Sequence, residues 1–312
     1  MINGIIILDK PEGISSAKVI DKIKKSLGLI KAGHTGTLDP FATGLMVICL
    51  NRATKIAQYL SNLDKIYTGT MILGISTNTQ DLEGSVKRIR TVGQRKIQTD
   101  EINRVFQKYR GEIWQTPPMY SALKYKGAKL YKLARKGITV DLKPRKITIY
   151  YLNLIRIKND LYPSIFFEAR CSKGTYIRTL CKDIGETLGY GAFLANLRRI
   201  GIGEFSISKS ISMDHFLGLT YEEKLEKIIP VDQALGHLNK IVLHDPRSSL
   251  SQMRVGLAID EKQIKETIIK DKLLMNEIFT VNSCEGQLIA IAKKSEFSLN
   301  NTTTYVVERI LI

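Results

Sequence analysis

The apolar positions of this chain change period from segment to segment, and those changes mark out its elements. Gly4 to Leu8 is a short apolar run rich in β-branched residues, the pattern of a buried strand. Asp9-Lys10-Pro11-Glu12-Gly13 is a turn, and Ser15 or Ser16 is placed to cap a following helix. Val19, Ile20, Ile23 and Leu27 give that helix one apolar stripe, with Lys22, Lys24 and Lys25 mostly off it. Beyond a glycine-rich loop, Leu45 to Leu50 predicts a second strand and Thr54 to Leu60 a helix. Lys65 to Ile75 predicts the next strand and Thr77 to Gly84 a polar turn. Thr99 or Asp100 then caps a helix running to Tyr109.

Further along, Lys146 to Ile157 and Ser164 to Ser172 alternate apolar and polar residues around a turn at Asn159-Asp160. That pattern predicts two adjacent antiparallel strands. The segment from Cys171 turns at Gly174 into a helix reaching Leu188, and Ile211 to Leu238 reads as helical. A boundary near Asn239 to Asp245 divides the chain into a large unit, residues 1–238, and a small one, residues 239–312. In the small unit Glu261 to Met275 predicts a helix, and Phe279 to Asn282, Gly286 to Ala292 and Thr304 to Ile310 predict strands. The expected class is α+β, a mixed, largely antiparallel sheet with packed helices.

Composition narrows the partners. The chain has 312 residues, 44% of them hydrophobic, enough for a sizeable core in one large domain plus a small one. Lys and Arg number 47 against 30 Asp and Glu, a net charge of +17, which points to a polyanion, with nucleic acid first and an anionic membrane second. The basic residues concentrate in an insertion from Met119 to Lys146. It holds Lys124, Lys126, Lys129, Lys132, Arg135, Lys136, Lys143, Arg145 and Lys146 against Asp141 alone. Tyr120, Tyr125 and Tyr131 are interleaved, the combination that suits a phosphate backbone and unstacked bases. A solvated helix-rich lobe has the same composition. Cys49, Cys171, Cys181 and Cys284 are scattered with no C-x-x-C pair, so neither a zinc site nor a redox dithiol is signalled. The four apolar residues Ile5 to Leu8 are too few for a signal peptide or a membrane span, and a reducing cytoplasm is the expected compartment.

The stretch with the densest chemistry is Gly33-His34-Thr35-Gly36-Thr37-Leu38-Asp39-Pro40-Phe41-Ala42-Thr43-Gly44. Its glycines and proline say loop, yet it carries an imidazole, three threonines and a carboxylate between two regular elements. Pro40 pushes Asp39 out of the α region, a geometry that can aim its carboxylate. An Asp before Pro is ordinarily a turn initiator, so the residues alone leave both readings open. The string from Gly33 through Gly44 resembles the catalytic motif G-H-T-G-x-L-D-P of the TruB family, the tRNA pseudouridine-55 synthases. Leu8-Asp9-Lys10-Pro11-Glu12-Gly13 resembles the family's opening motif, which packs behind the catalytic loop, and Ser172 to Thr179 matches its signature S-K-G-T-Y-I-R-T. The resemblance spans roughly Ile5 to Phe205.

What the resemblance implies is an isomerase, an intramolecular transferase that turns the T-loop uridine of tRNA into pseudouridine. Asp39, Tyr67 and Arg178 are its implied catalytic residues. Asp39 is the carboxylate, Arg178 its ion-pair partner, and Tyr67 the tyrosine that stacks on the target base and is placed to take a proton. Attack on C1′, attack on C6 and a glycal-like path all use that carboxylate. Tyr176 and Leu197 resemble pocket walls, Asp81 the carboxylate that reads the flipped base, and His34 the residue that fills space in the T-loop. A loop histidine bonded to a backbone carbonyl is the plain alternative for His34. The chain departs from the family at Asn78 and Glu83, where Asp is frequent. Lys10, Lys124, Lys126, Lys129 and Lys132 are the implied RNA contacts, the last four in an insertion that resembles the family's clamp on the tRNA arm. Residues 239–312 resemble its small PUA-type RNA-binding domain. The reaction breaks an N–C bond and forms a C–C bond with no redox change, so no cofactor or metal is expected. The expected partner is the T-arm of tRNA, bound by a monomer, with no protein partner and no membrane. The alternative from another class is a non-catalytic RNA-binding or tRNA-folding chaperone on the same scaffold. A zinc deaminase would need H-x-E with P-C-x-x-C, and a Rossmann enzyme a G-x-G turn after a strand. The chain has neither H-x-E nor P-C-x-x-C, and Gly33 to Gly44 lacks the G-x-G core.

Overall fold

The computed structural model describes residues 2–93, 95–270, 277–295 and 303–311. Its main sheet has ten strands. Eight run in the order Ile211–Ser212, Gly4–Lys10, Thr43–Leu50, Ala192–Ile202, Lys65–Leu73, Ser164–Cys171, Arg145–Lys158 and Gly111–Gln115. Ala32–His34 and Phe205–Ser206 pair off this path. Gly4–Lys10 runs parallel to Ile211–Ser212, and Thr43–Leu50 parallel to Ala192–Ile202. The other neighbours are antiparallel, so the sheet is mixed and largely antiparallel, as expected.

Helices Ser16–Ser26, Thr99–Lys108 and Ile177–Thr187 lay their apolar stripes on one face of this sheet. Val19, Ile23, Ile102, Phe106, Leu180 and Ile184 share a core there with Met46, Ile48, Met71 and Phe167. Ile5, Ile7, Leu45, Val47 and Cys49 point to the other face, where Ala53, Ile56, Leu60, Leu235 and Leu238 cover them. Burial on both faces is why Gly4 to Leu8 and Leu45 to Leu50 are unbroken apolar runs and do not alternate. Ser15 caps the first helix by accepting from the Lys18 N–H. The Thr99–Lys108 helix is entered from Gln98 instead of an Asp or Thr cap. Asp100 and Glu101 fill its first turn, where they favour the positive end of the helix dipole. The basic insertion is a small hairpin, Lys124–Tyr125 against Ala128–Lys129, followed by helix Leu130–Arg135. Lys126 and Gly127 both have positive φ, the tight turn such a hairpin needs.

A second sheet of six strands holds Asn239–Leu243, Ile259–Asp260, Ile264–Ile268, Ile278–Asn282, Leu288–Lys294 and Thr304–Ile310. This is a β-rich unit of the kind a PUA-type appendage has. Asn239–Leu243 is an inner strand of that sheet. One expectation changes here. Glu261 to Met275 is not a helix: Glu261–Gln263 is a single tight turn capped by Asp260, and Ile264–Ile268 is a strand pairing with Asn239–Leu243. Ile264, Thr267 and Ile268 are β-branched and lose χ1 freedom in a helix, so an available strand partner wins. Residues 271–275 of that expected helix lie outside the described residues. The two sheets meet through Ile291, which joins the core around Ile5 and Ile7, and through the bond from Tyr59 Oη to Glu308 at 2.7 Å.

Candidate active site

The Gly33–Gly44 loop is tied down from behind by the opening turn. Buried Ser16 donates through Oγ to the Leu38 carbonyl at 2.8 Å and accepts from the Leu38 N–H at 2.9 Å. The Pro40 carbonyl accepts from the Gly13 N–H at 2.9 Å and from Lys10 Nζ at 3.1 Å. Lys10 is fully buried, with its ammonium also on the Pro11 carbonyl, and burial pulls its pKa down to about 8. Lys10, expected as an RNA contact, here places its ammonium on two backbone carbonyls of its own chain. It braces the loop from behind through those carbonyls. Arg198 clamps Asp9 of the same turn at 2.6 Å.

Asp39 emerges from this braced loop against Arg178. Arg178 Nε lies 2.9 Å from Asp39 Oδ2, and its Nη1 lies 3.2 Å from Asp81 Oδ2. The same guanidinium donates to the carbonyls of Thr79 and Tyr120, each at 2.8 Å. One planar fork thus joins the loop, the Thr77–Gly84 turn and the insertion. Asp81 is buried and is held further by the Thr79 hydroxyl and the Glu83 N–H. Burial pushes the Asp39 carboxyl above its ordinary range. Arg178 works against this, Asp81 adds to the rise, and Lys10 opposes it. Arg178 lies in the first turn of helix Ile177–Thr187, whose entry residue is Tyr176. Buried Gln115 fixes that entry with both ends of its amide: Oε1 accepts from the Tyr176 N–H at 2.8 Å and Nε2 donates to the Tyr176 carbonyl at 3.1 Å.

Two cavities meet at Asp39. One, about 360 Å³, is lined by Tyr67, Tyr176, Leu197, Lys65 and Arg199. The other, about 670 Å³, is lined by His34, Asn78, Asp81, Glu83, Lys129 and Arg135. Asp39, Thr37, Leu38 and Arg178 border both. Tyr67 is buried at the cavity wall, and burial raises its pKa, so its phenol stays protonated at neutral pH. His34 is half-buried, and its Nδ1 accepts from the Gly36 N–H at 3.2 Å. Accepting, not donating to a carbonyl, is its backbone role. Burial and Arg199 both lower its pKa, which leaves the ring neutral with its proton on Nε2. Lys124, Lys126, Lys129 and Lys132 stand on the insertion, with Lys126 and Lys129 among its exposed side chains. Lys126 lies over Tyr125, and Lys129 and Arg135 over Tyr131.

Sequence reasoning missed Ser16 as a loop anchor, Gln115, Lys65 and Arg199. Arg199 carried a signal: on a strand whose inward positions are Ala192, Leu194, Leu197 and Ile202, it is a charged residue in an apolar alternation. Gln115 stood beside a Pro-Pro break and gave none.

Residues 24–177 match the family described as TruB family pseudouridylate synthase (N terminal domain). Residues 178–236 match tRNA pseudouridylate synthase B C-terminal domain. Among curated relatives, the tRNA pseudouridine synthase B of Clostridium kluyveri is 43% identical over 272 residues, 87% of this chain and 90% of that protein. That of Syntrophus aciditrophicus is 40% identical over 295 residues, 94% of this chain and 91% of its own length. Among solved structures, a crystal structure of a Cbf5-Nop10-Gar1 complex superposes with a TM-score of 0.73 at 26% identity, covering 99% of this chain and 85% of that one. With the family matches contiguous across the Asp39 loop, the Tyr67 strand and the Arg178 helix, the chain belongs to the TruB family of pseudouridylate synthases.

Proposed function

We propose that this protein isomerises uridine to pseudouridine in tRNA, at the T-loop position 55, with Asp39 as the carboxylate that acts on the flipped-out nucleoside. The observation that carries the reading is Asp39 itself. It sits on the family's loop at the junction of two cavities, with one oxygen 2.9 Å from a buried guanidinium. Family membership supplies the reaction: relatives at 40% identity or more over most of the chain are named for it.

Each neighbouring group has a task in that chemistry. Arg178 keeps the carboxylate charged against the pull of burial and fixes its direction through two carbonyl bonds. Leu197 and Tyr67 give the smaller cavity an apolar wall for a base taken out of its stack. The Tyr67 oxygen can accept the proton released from C5 while the phenol passes its own proton on to solvent, so the phenol is regenerated. Asp81, locked by Arg178, Thr79 and the Glu83 N–H, presents a fixed acceptor edge in the larger cavity. The lysines and tyrosines of the insertion supply phosphate contacts and stacking for the RNA around the flipped base. Residues 239–312 act as an RNA-binding appendage to a catalytic domain of residues 1–238. The protein works as a cytoplasmic monomer on the T-arm. The test is incubation with an unmodified tRNA followed by nucleoside analysis. One pseudouridine per tRNA at position 55 is the expected product, and an unchanged uridine content refutes the reading in favour of a binding-only chaperone.

A further inference from the structure

Among the described residues Arg199 heads the large fully buried side chains, and the groups it is seen to hydrogen-bond are neutral backbone carbonyls. Its Nε donates to the Leu45 carbonyl at 2.7 Å, and its Nη2 donates to the Gly36 carbonyl at 2.9 Å. The same side chain stands opposite Tyr67, its cross-strand partner, and both line the smaller cavity. Three separate pieces of chain therefore converge on one guanidinium: the start of the Asp39 loop, the strand that leaves it, and the strand that carries Tyr67. The backbone at Arg199 is itself fixed. Gly44 passes so close, with φ +105°, that a Cβ there would lie 2.3 Å from the Arg199 carbonyl oxygen. Leaving a cation out of water with only neutral partners is costly, and an apolar residue would fill the same space more cheaply. A guanidinium offers what no apolar residue can, a rigid planar set of donors that fixes several acceptors at once.

We propose that Arg199 is a positioning residue that holds the Tyr67 phenol and the Gly36–Asp39 segment in one fixed relation. A guanidinium donates and never accepts, so towards the neighbouring Tyr67 phenol it presents donors only. The same residue holds Gly36, three positions before Asp39, so the carboxylate and the phenol keep a common reference. Its described hydrogen bonds go to the backbone of the loop and of the strand that leaves it, so it acts through the groups it holds.

The inference rests on the proposed isomerase reading, and wild-type turnover is the control that separates the two. If wild type makes no pseudouridine, that reading fails before Arg199 is tested. The full chain is compared as wild type, Arg199→Met, Arg199→Lys, Tyr67→Phe and the Arg199→Met/Tyr67→Phe double variant, on an unmodified T-arm RNA. Arg199→Met is expected to lower kcat by roughly 10²-fold, the cost of an ångström-scale misplacement, with KM within about threefold of wild type. Arg199→Lys, which keeps the charge without the fork, should fall between. In the Tyr67→Phe background the phenol is already gone, so Arg199→Met should cost at least about tenfold less than it does alone. If Arg199→Met proves insoluble, Arg199→Lys takes its place in the cycle with the same expectation. Equal losses in both backgrounds, or an unchanged kcat, overturn the proposal.

Discussion

Replacing Arg178 by Met removes the guanidinium that lies between the Asp39 and Asp81 carboxylates. In the intact protein Arg178 reaches Asp39 at 2.9 Å and Asp81 at 3.2 Å, and its side chain is 6% exposed. The two carboxylates differ in what they lose. Asp81 is 4% exposed and, among the described residues, is left without an ion-pair partner, whereas Asp39 is 36% exposed and water screens part of its loss. Breaking a buried pair by removing one partner costs about 3–5 kcal/mol, and Asp81 accounts for most of it. With a urea slope near 3 kcal/mol/M, that lowers the unfolding midpoint by roughly 1–1.7 M. The pH dependence moves as well. Asp39 already titrates above its ordinary range because it is buried, and Arg178 is the largest influence holding it down. Without Arg178 its pKa rises further. Activity that needs the ionised carboxylate therefore appears only at higher pH, and the acid limb of the rate profile shifts alkaline. Urea titration followed by circular dichroism and rates measured across about pH 5–9 read both effects. A midpoint within about 0.3 M of wild type together with an unmoved acid limb would refute the pairing as an energetic link.

Three further outcomes follow from the same geometry. Removing four of Lys124, Lys126, Lys129, Lys132, Arg135 and Lys136 should weaken tRNA binding and flatten its log–log salt dependence by roughly 0.7–0.9 for each phosphate no longer neutralised; an unchanged slope means these charges face only solvent. Gln115→Leu strips both backbone partners from Tyr176 and should cost about 2–6 kcal/mol by urea titration, at roughly 1–3 kcal/mol for each of the two groups left unpaired; a loss under about 1 kcal/mol means water replaces the amide. Dialysis against a chelator should leave turnover unchanged, and activity restored by a divalent metal or a nucleotide would contradict a cofactor-free isomerisation.

The parts legible in the sequence were those set by period and by short motifs. Gly4 to Leu8, Leu45 to Leu50 and the Lys146–Ser172 pair announced themselves by apolar pattern, because each buries a face along its length. The Arg178–Asp39 contact was legible only through the family motif, since the residues stand far apart in the chain and no local pattern links them. The roles of Lys10 and Arg199 were hidden for one reason: a basic residue in a sequence suggests a surface, and both ammonium and guanidinium here end on backbone carbonyls inside the protein. The Ile264–Ile268 strand was misread because its pattern alone fits either period, and its partner, Asn239–Leu243, lies outside the window that periodicity sees.

The most direct test of Asp39 as the reacting carboxylate is Asp39→Asn. Pseudouridine formation replaces the C5–H bond of uridine with the new glycosidic C–C bond, so tritium at C5 passes to water once per turnover. A C5 methylation would also release it, but only with a methyl donor, which the assay omits. The amide keeps the size of Asp39 and most of its hydrogen bonding, and it removes the charge that faces Arg178. Asp39→Asn should abolish tritium release while tRNA affinity stays within about tenfold, a binding change of no more than about 1.4 kcal/mol. Tritium release by Asp39→Asn at a rate near wild type would contradict this, leaving the loop a structural turn and the carboxylate without a catalytic task.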